Sequence, residues 1–279
     1  MAYKTILLHL DRKETANARI RIAARLALAE DAHLLGVAMV GVSTLTFREA
    51  RISEKDPALA AHLKFLFERA EGFVENFIHE AKMAGVPSYE GRVVDEEAGY
   101  GVSMLARYSD LVVIGQTNLK EEAPLVQPDF PEFVLINSGR PVLMIPHSYK
   151  TDTMGFRALV AWNASKESRR ALTDAIPLLK RADLVDVAAF NMETEPDMRD
   201  DGTLTDLAVF LARHGVKVNI LKPQQTKTVG AALLETAEQR KADLLVLGGY
   251  GHTRFRQMLL GGVTRTVLSN ATLPVLMSH

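Results

Sequence analysis

Short apolar runs, rich in leucine and β-branched residues, alternate along the chain with longer stretches whose apolar positions recur every three or four residues. Runs of the first kind suit strands of a parallel sheet covered on both faces, and stretches of the second kind suit amphipathic helices. The runs predict strands at 5–10, 34–40, 89–94, 111–115 and 142–145, then at 158–162, 185–190, 216–221, 244–247 and 275–277. Between the second and third, Asp56 and Pro57 supply an N-cap and a first-turn residue. Leu59, Leu63, Leu66, Ala70, Phe73 and Phe77 then hold helical spacing until Gly85 and Pro87 stop the helix. Leu204, Leu207, Ala208 and Leu211 repeat that pattern up to Gly215.

The two sets of five strands are copies of each other. The run 110-DLVVIG-115 matches 243-DLLVLG-248 and 141-PVLMIPH-147 matches 274-PVLMSH-279, both at an offset of 133, while 4-KTILLHLD-11 matches 157-RALVAWN-163 at an offset of 152. A repeat of this length is a domain rather than a solenoid unit. Domains are expected at 1–148 and 155–279, joined by the polar junction 147-HSYKTDTMGF-156, with the extra residues of the first copy falling in its second crossover. Strand and helix alternation in each copy predicts an α/β fold of two Rossmann-like domains.

Composition narrows the function classes. The chain has 279 residues, 33 basic and 34 acidic, for a formal net charge of -1, which offers no general attraction to nucleic acid or to an anionic membrane. The absence of cysteine excludes thiol catalysis, disulfides and Cys-based metal sites. The longest uncharged run, 34–47, is shorter than a membrane span, and the N-terminal apolar run stops at Asp11, so the expectation is a cytoplasmic protein. The eight histidines show no short metal-ligand spacing, and no nucleophile elbow or general base stands out.

The densest chemical signal is 247-LGGYGHTRFRQMLLGGV-263, where Gly248, Gly249, Gly251, Gly261 and Gly262 crowd together. Glycine weakens an element interior, so such a cluster marks tight turns or a ligand pressed against bare backbone. The segment follows the fourth strand of the second copy, and ligands of open parallel sheets bind beyond strand carboxyl ends. Free N–H groups there would suit a phosphate; two plain turns would need the same glycines.

Gly248-x-x-Gly251, nine residues, then Gly261 resembles the nucleotide motif of the universal stress protein family. An acidic first-strand end at Asp11 and the Pro before the last strand in 270-NATLPVLMSH-279 extend the resemblance over both copies. The resemblance implies five parallel strands of order 3-2-1-4-5 per domain and paired domains meeting along their fifth strands. It also implies ATP or a related adenine nucleotide, with Mg²⁺, held by the glycine motif in many members, and self-association by that pairing, extending to a homodimer.

Carried onto this sequence, the implied nucleotide contacts are Asn163, Ala188, Gly248, Tyr250, Gly251, Arg254, Gly261, Gly262, Val263 and Thr264. Asn163 replaces the usual Asp, and Gly262 replaces a phosphate-binding Ser or Thr, leaving Thr264 as the nearest hydroxyl. His252 and Arg256 also border the motif. In the first copy the matching positions are Asn118, Pro128 and Asp129, with only Gly115 kept, so no nucleoside triphosphate is expected there. His9 and Trp162, on the matching first strands, are expected to be packed side chains.

Overall fold

A computed structural model describes residues 2–43, 56–118, 125–190, 201–223, 228–250 and 262–279. Two compact units emerge: one of Tyr3–Arg140 with Lys150–Thr153, the other of Pro141–Tyr149, Met154–His279 and Met1–Ala2.

In the first unit, β1 (Thr5–Leu10), β2 (His33–Met39), β3 (Tyr89–Val94) and β4 (Leu111–Gly115) form parallel pairs in the order β3-β2-β1-β4. Helices α1 (Lys13–Glu30), α2 (Pro57–Met83), α3 (Ala98–Leu105) and α4 (Phe130–Asn137) accompany them, with a short 3-10 turn at Ala106–Tyr108. In the second unit, β6 (Arg157–Trp162), β7 (Leu184–Ala189), β8 (Val218–Leu221), β9 (Leu244–Gly248) and β10 (Val275–Ser278) follow the order β10-β9-β6-β7-β8. All four of these pairings are parallel, so this unit has the 3-2-1-4-5 order. Its helices are α5 (Lys166–Leu179), α6 (Asp201–Arg213), α7 (Val229–Gln239) and α8 (Gly262–Asn270). Strand β5 (Val142–Ile145), the fifth of the first repeat by sequence, lies antiparallel to β10 with Met144 opposite Val275, and so packs within the second unit.

Local chemistry explains the elements. The Asp56 carboxylate accepts the Ala58 N–H at 2.9 Å, with Pro57 in the first turn of α2. Gly85 and Gly215, at φ +75° and +78°, end α2 and α6; the next residues, Val86 and Val216, donate back to Ala81 and Leu211. That closure places Val216 in the helix cap, so β8 begins at Val218 rather than at 216. Central strands β1, β4, β6 and β9 are almost wholly buried, as their unbroken apolar runs require.

The repeat also extends to hydrogen bonding. The Asp110 carboxylate accepts the backbone N–H groups of Lys4 and Thr5 at 2.7 and 2.9 Å. Asp243, 133 positions later, accepts those of Phe156 and Arg157 at 3.1 and 2.8 Å. Each aspartate ties the start of the fourth strand to the start of the first in its own copy.

Candidate functional site

In a sheet of this order, the strand order reverses between the first and fourth strands, leaving a crevice beyond their carboxyl ends. In the second unit these are the ends of β6 and β9, paired through Ala158 with Leu244 and Val160 with Val246. Both strands leave the sheet through left-handed residues that are not glycine: Ala164 after β6 and Tyr250 after β9, each at φ +58°. Such conformations cost on the order of 1 kcal/mol each and persist only where the surroundings hold them.

Those surroundings are specific. Asn163 accepts the Ser165 N–H at 3.3 Å, and Ser165 caps α5 by accepting the Ser168 N–H at 3.1 Å. The first turn of α5 presses on β9 so closely that a Cβ on Gly248 would lie 2.5 Å from the Ser168 nitrogen. The Gly249 N–H donates to the Ser278 carbonyl, and the Tyr250 N–H donates to Thr264 Oγ1 at 3.3 Å. Thr264 is therefore buried and its hydroxyl serves the turn. Ala188 is buried on β7, one row short of the strand end, opposite Ala161 of β6. Gly262 opens α8 with no described residue within 4 Å of a would-be Cβ, and Val263 is half-buried beside it. Gly251, His252, Arg254, Arg256 and Gly261 lie outside the described residues.

Asn163, Gly248, Tyr250, Gly262 and Thr264 thus gather around one crevice. No group of three or more His, Cys, Asp or Glu residues able to hold a metal occurs among the described residues. Trp162 is buried, as expected of a packed side chain.

The matching crevice of the first unit is filled. Arg19 of α1 is only 2% exposed, and its guanidinium lies 2.7 Å from Asp11 Oδ1 while Nε donates to the His9 carbonyl at 3.2 Å. A Cβ on Gly115 would collide with Arg19 Nη1 and lie 3.2 Å from Cζ. The strand-four glycine of this copy therefore makes room for an arginine of its own chain. His9 is buried against the Phe130 ring, 4.8 Å away, and its pKa falls to about 4, first through burial. Asp11 acts against that shift and the Arg19 charge adds to it. Arg12, the residue matching Ala164, keeps an ordinary φ of −55°.

Sequence reasoning missed Arg19 and Ala164. A signal for Arg19 existed: it falls in the apolar phase of α1, between buried Ala16 and Ala23, where a charge needs a partner. Ala164 carried none, because a left-handed alanine has no compositional mark.

The strand order and the two crevices define doubly wound α/β units. Residues 154–279 match the family model described as "Universal stress protein family". A curated universal stress protein of Synechocystis is 26% identical over 148 residues, 52% of this chain and 49% of that relative. One from Methanocaldococcus jannaschii is 48% identical over 44 residues, 16% of this chain and 26% of its own. The chain thus spans about half or less of the curated relatives that it matches. The crystal structure of a universal stress protein from Archaeoglobus fulgidus superposes with a TM-score of 0.71 at 18% identity, over 98% of this chain and 97% of that one, which establishes the shared fold. No described helix is long and apolar enough to cross a membrane.

Proposed function

We propose that the chain is a tandem stress-response protein whose second domain binds ATP or a related adenine nucleotide in the β6–β9 crevice, while its first domain is closed to nucleotide. The observation that carries this reading is the paired left-handed exits at Ala164 and Tyr250. Strain held at both strand ends of one crevice, and missing after β1 at Arg12, is what a preorganised binding site requires. The family-model match of residues 154–279 and the spacing of Gly248, Gly251 and Gly261 support it.

In this reading the open approach at Gly262 lets a phosphate reach the N-terminus of α8, where free N–H groups and the helix dipole favour an anion. Val263 and Thr264 contribute backbone there, and Arg254 contributes charge. Asn163 and the β7 backbone at Ala188 face the nucleoside end. Mg²⁺ arrives with the phosphates. In this reading the protein binds rather than turns over, with no general base among the described residues of the crevice, and nucleotide acts as a switch for a partner.

A second reading, a nucleotide-free scaffold, is favoured by one observation: the first turn of α5 alone accounts for the bareness of Gly248. Calorimetric titration with ATP and Mg²⁺ separates the two. The binding reading expects one site per chain, abolished by Gly251→Val, with phosphate release at background. No heat from the unaltered protein sinks it, and unchanged heat in the variant moves the ligand elsewhere.

A further inference from the structure

The first unit carries an apolar surface that its repeat does not. Tyr100, Tyr108, Phe133 and Ile136, on and just after α3 and α4, are 54, 81, 37 and 42% exposed. The two helices lie side by side and run the same way. At their N-terminal halves the Phe133 ring covers Gly99, 2.9 Å from where a Cβ would sit. At their C-terminal ends Arg140 donates to the Arg107 carbonyl at 3.0 Å. The second unit builds the same pair, with Thr266 over Gly230 in α7 and α8. Aligned on these glycines and on the flanking strands, the four apolar residues correspond to Ala231, Lys241, Thr266 and Ser269. The fold therefore tolerates a polar face here, and packing within the unit does not explain the aromatic one.

Charge is also distributed differently. Asp129 and Glu132 stand at the N-terminal end of the face and Arg107 at the C-terminal end. Glu132 corresponds to Arg265 in the second copy. Arg240, which corresponds to Arg107, is bound by the buried Asp186 at 2.7 Å. By strand register the counterpart of Asp186 is the apolar Leu35, and Arg107 stays exposed without an ion pair among the described residues. The face is apolar at its centre, acidic at one end and basic at the other.

We infer that the α3–α4 face is a self-association surface that meets the same face of a second copy across a two-fold axis. A two-fold running through the middle of the face reverses the helices, placing Glu132 and Asp129 of one copy over Arg107 of the other and pairing opposite helix dipoles. A mixed-charge face that complements itself is what an isologous contact needs; a purely acidic or basic partner would repel one end. This surface is independent of the nucleotide reading.

The test is sedimentation equilibrium of the full chain, ATP-free, from about 1 µM to several hundred µM, the range of small reversible interfaces. A monomer–dimer equilibrium is expected. Tyr108→Lys with Phe133→Thr, both residues taken from the second copy's own solution to this packing, should weaken it at least tenfold while circular dichroism stays unchanged. Glu132→Arg and Arg107→Glu should each weaken it, and the double reversal should restore it. A monomer throughout the range overturns the proposal, as does a dimer indifferent to the aromatic changes, which would place the contact elsewhere. Failure of the double reversal to restore association overturns the two-fold arrangement.

Discussion

The sharpest consequence of the filled first crevice concerns Arg19 and Gly115. The Arg19 guanidinium is buried against Asp11, which is itself 20% exposed, and against the His9 carbonyl. Removing one partner of a buried pair costs about 3–5 kcal/mol, and the partial solvation of Asp11 brings Arg19→Ala toward about 3 kcal/mol. Gly115→Ala adds a methyl where the guanidinium lies. Because the backbone φ at Gly115 is not positive, the penalty is steric alone, roughly 1–3 kcal/mol. Once Arg19 is shortened to alanine that clash is gone, and Asp11 Oδ2, 3.5 Å from the methyl position, is an ordinary contact. The double variant should therefore be at least about 1 kcal/mol more stable than the sum of the single losses predicts. Urea denaturation of the four proteins measures this directly. If the losses add within about 0.5 kcal/mol, Arg19 does not occupy the space above Gly115 and the account of the closed crevice fails.

Other expectations rest on separate features. His9 has its pKa lowered from 6.5 to about 4, so the folded state binds fewer protons than the unfolded chain. Its contribution is intact above 6.5 and lost as pH falls toward 4, about 3 kcal/mol in all; denaturation curves should show this loss in the native protein and a flatter slope in His9→Leu. Gly248→Ala should cost about 2 kcal/mol because the α5 backbone cannot yield, whereas Gly262→Ala should leave the melting temperature almost unchanged. Gly262→Ser returns the hydroxyl usual in the family and should tighten ATP binding about tenfold by calorimetry. Asp110→Ala and Asp243→Ala each strip the acceptor from two N–H groups and should each cost about 1–3 kcal/mol.

Much of the fold was legible in the sequence because strands buried on both faces cannot hide: VVI in β4 and LLVL in β9 are unbroken, and the repeat located their partners. The start of β8 was misplaced because Val216 belongs to a helix cap that reads as a strand when only hydrophobicity is weighed. Legibility of the site was partial. The resemblance pointed to Asn163, Gly248 and Gly262, which lie just after β6, at the end of β9 and at the start of α8. It could not foresee that the Thr264 hydroxyl, the one candidate stand-in for the missing serine, is held by the Tyr250 N–H. Nor could it foresee that Gly115, the remnant of the motif in the first copy, admits Arg19. Both depend on which atoms meet across elements distant in sequence, and hydrophobic pattern carries no record of that.

The central claim is that nucleotide binds once per chain, in the second domain's crevice. Amide hydrogen exchange with and without saturating ATP and Mg²⁺ tests it most directly. Slowed exchange is expected in peptides spanning Asn163–Ser165, Gly248–Tyr250 and Gly262–Thr264, with none around Asp11, Gly115 and Asp129. Protection centred on Gly115, or no protection anywhere at saturating nucleotide, contradicts the account.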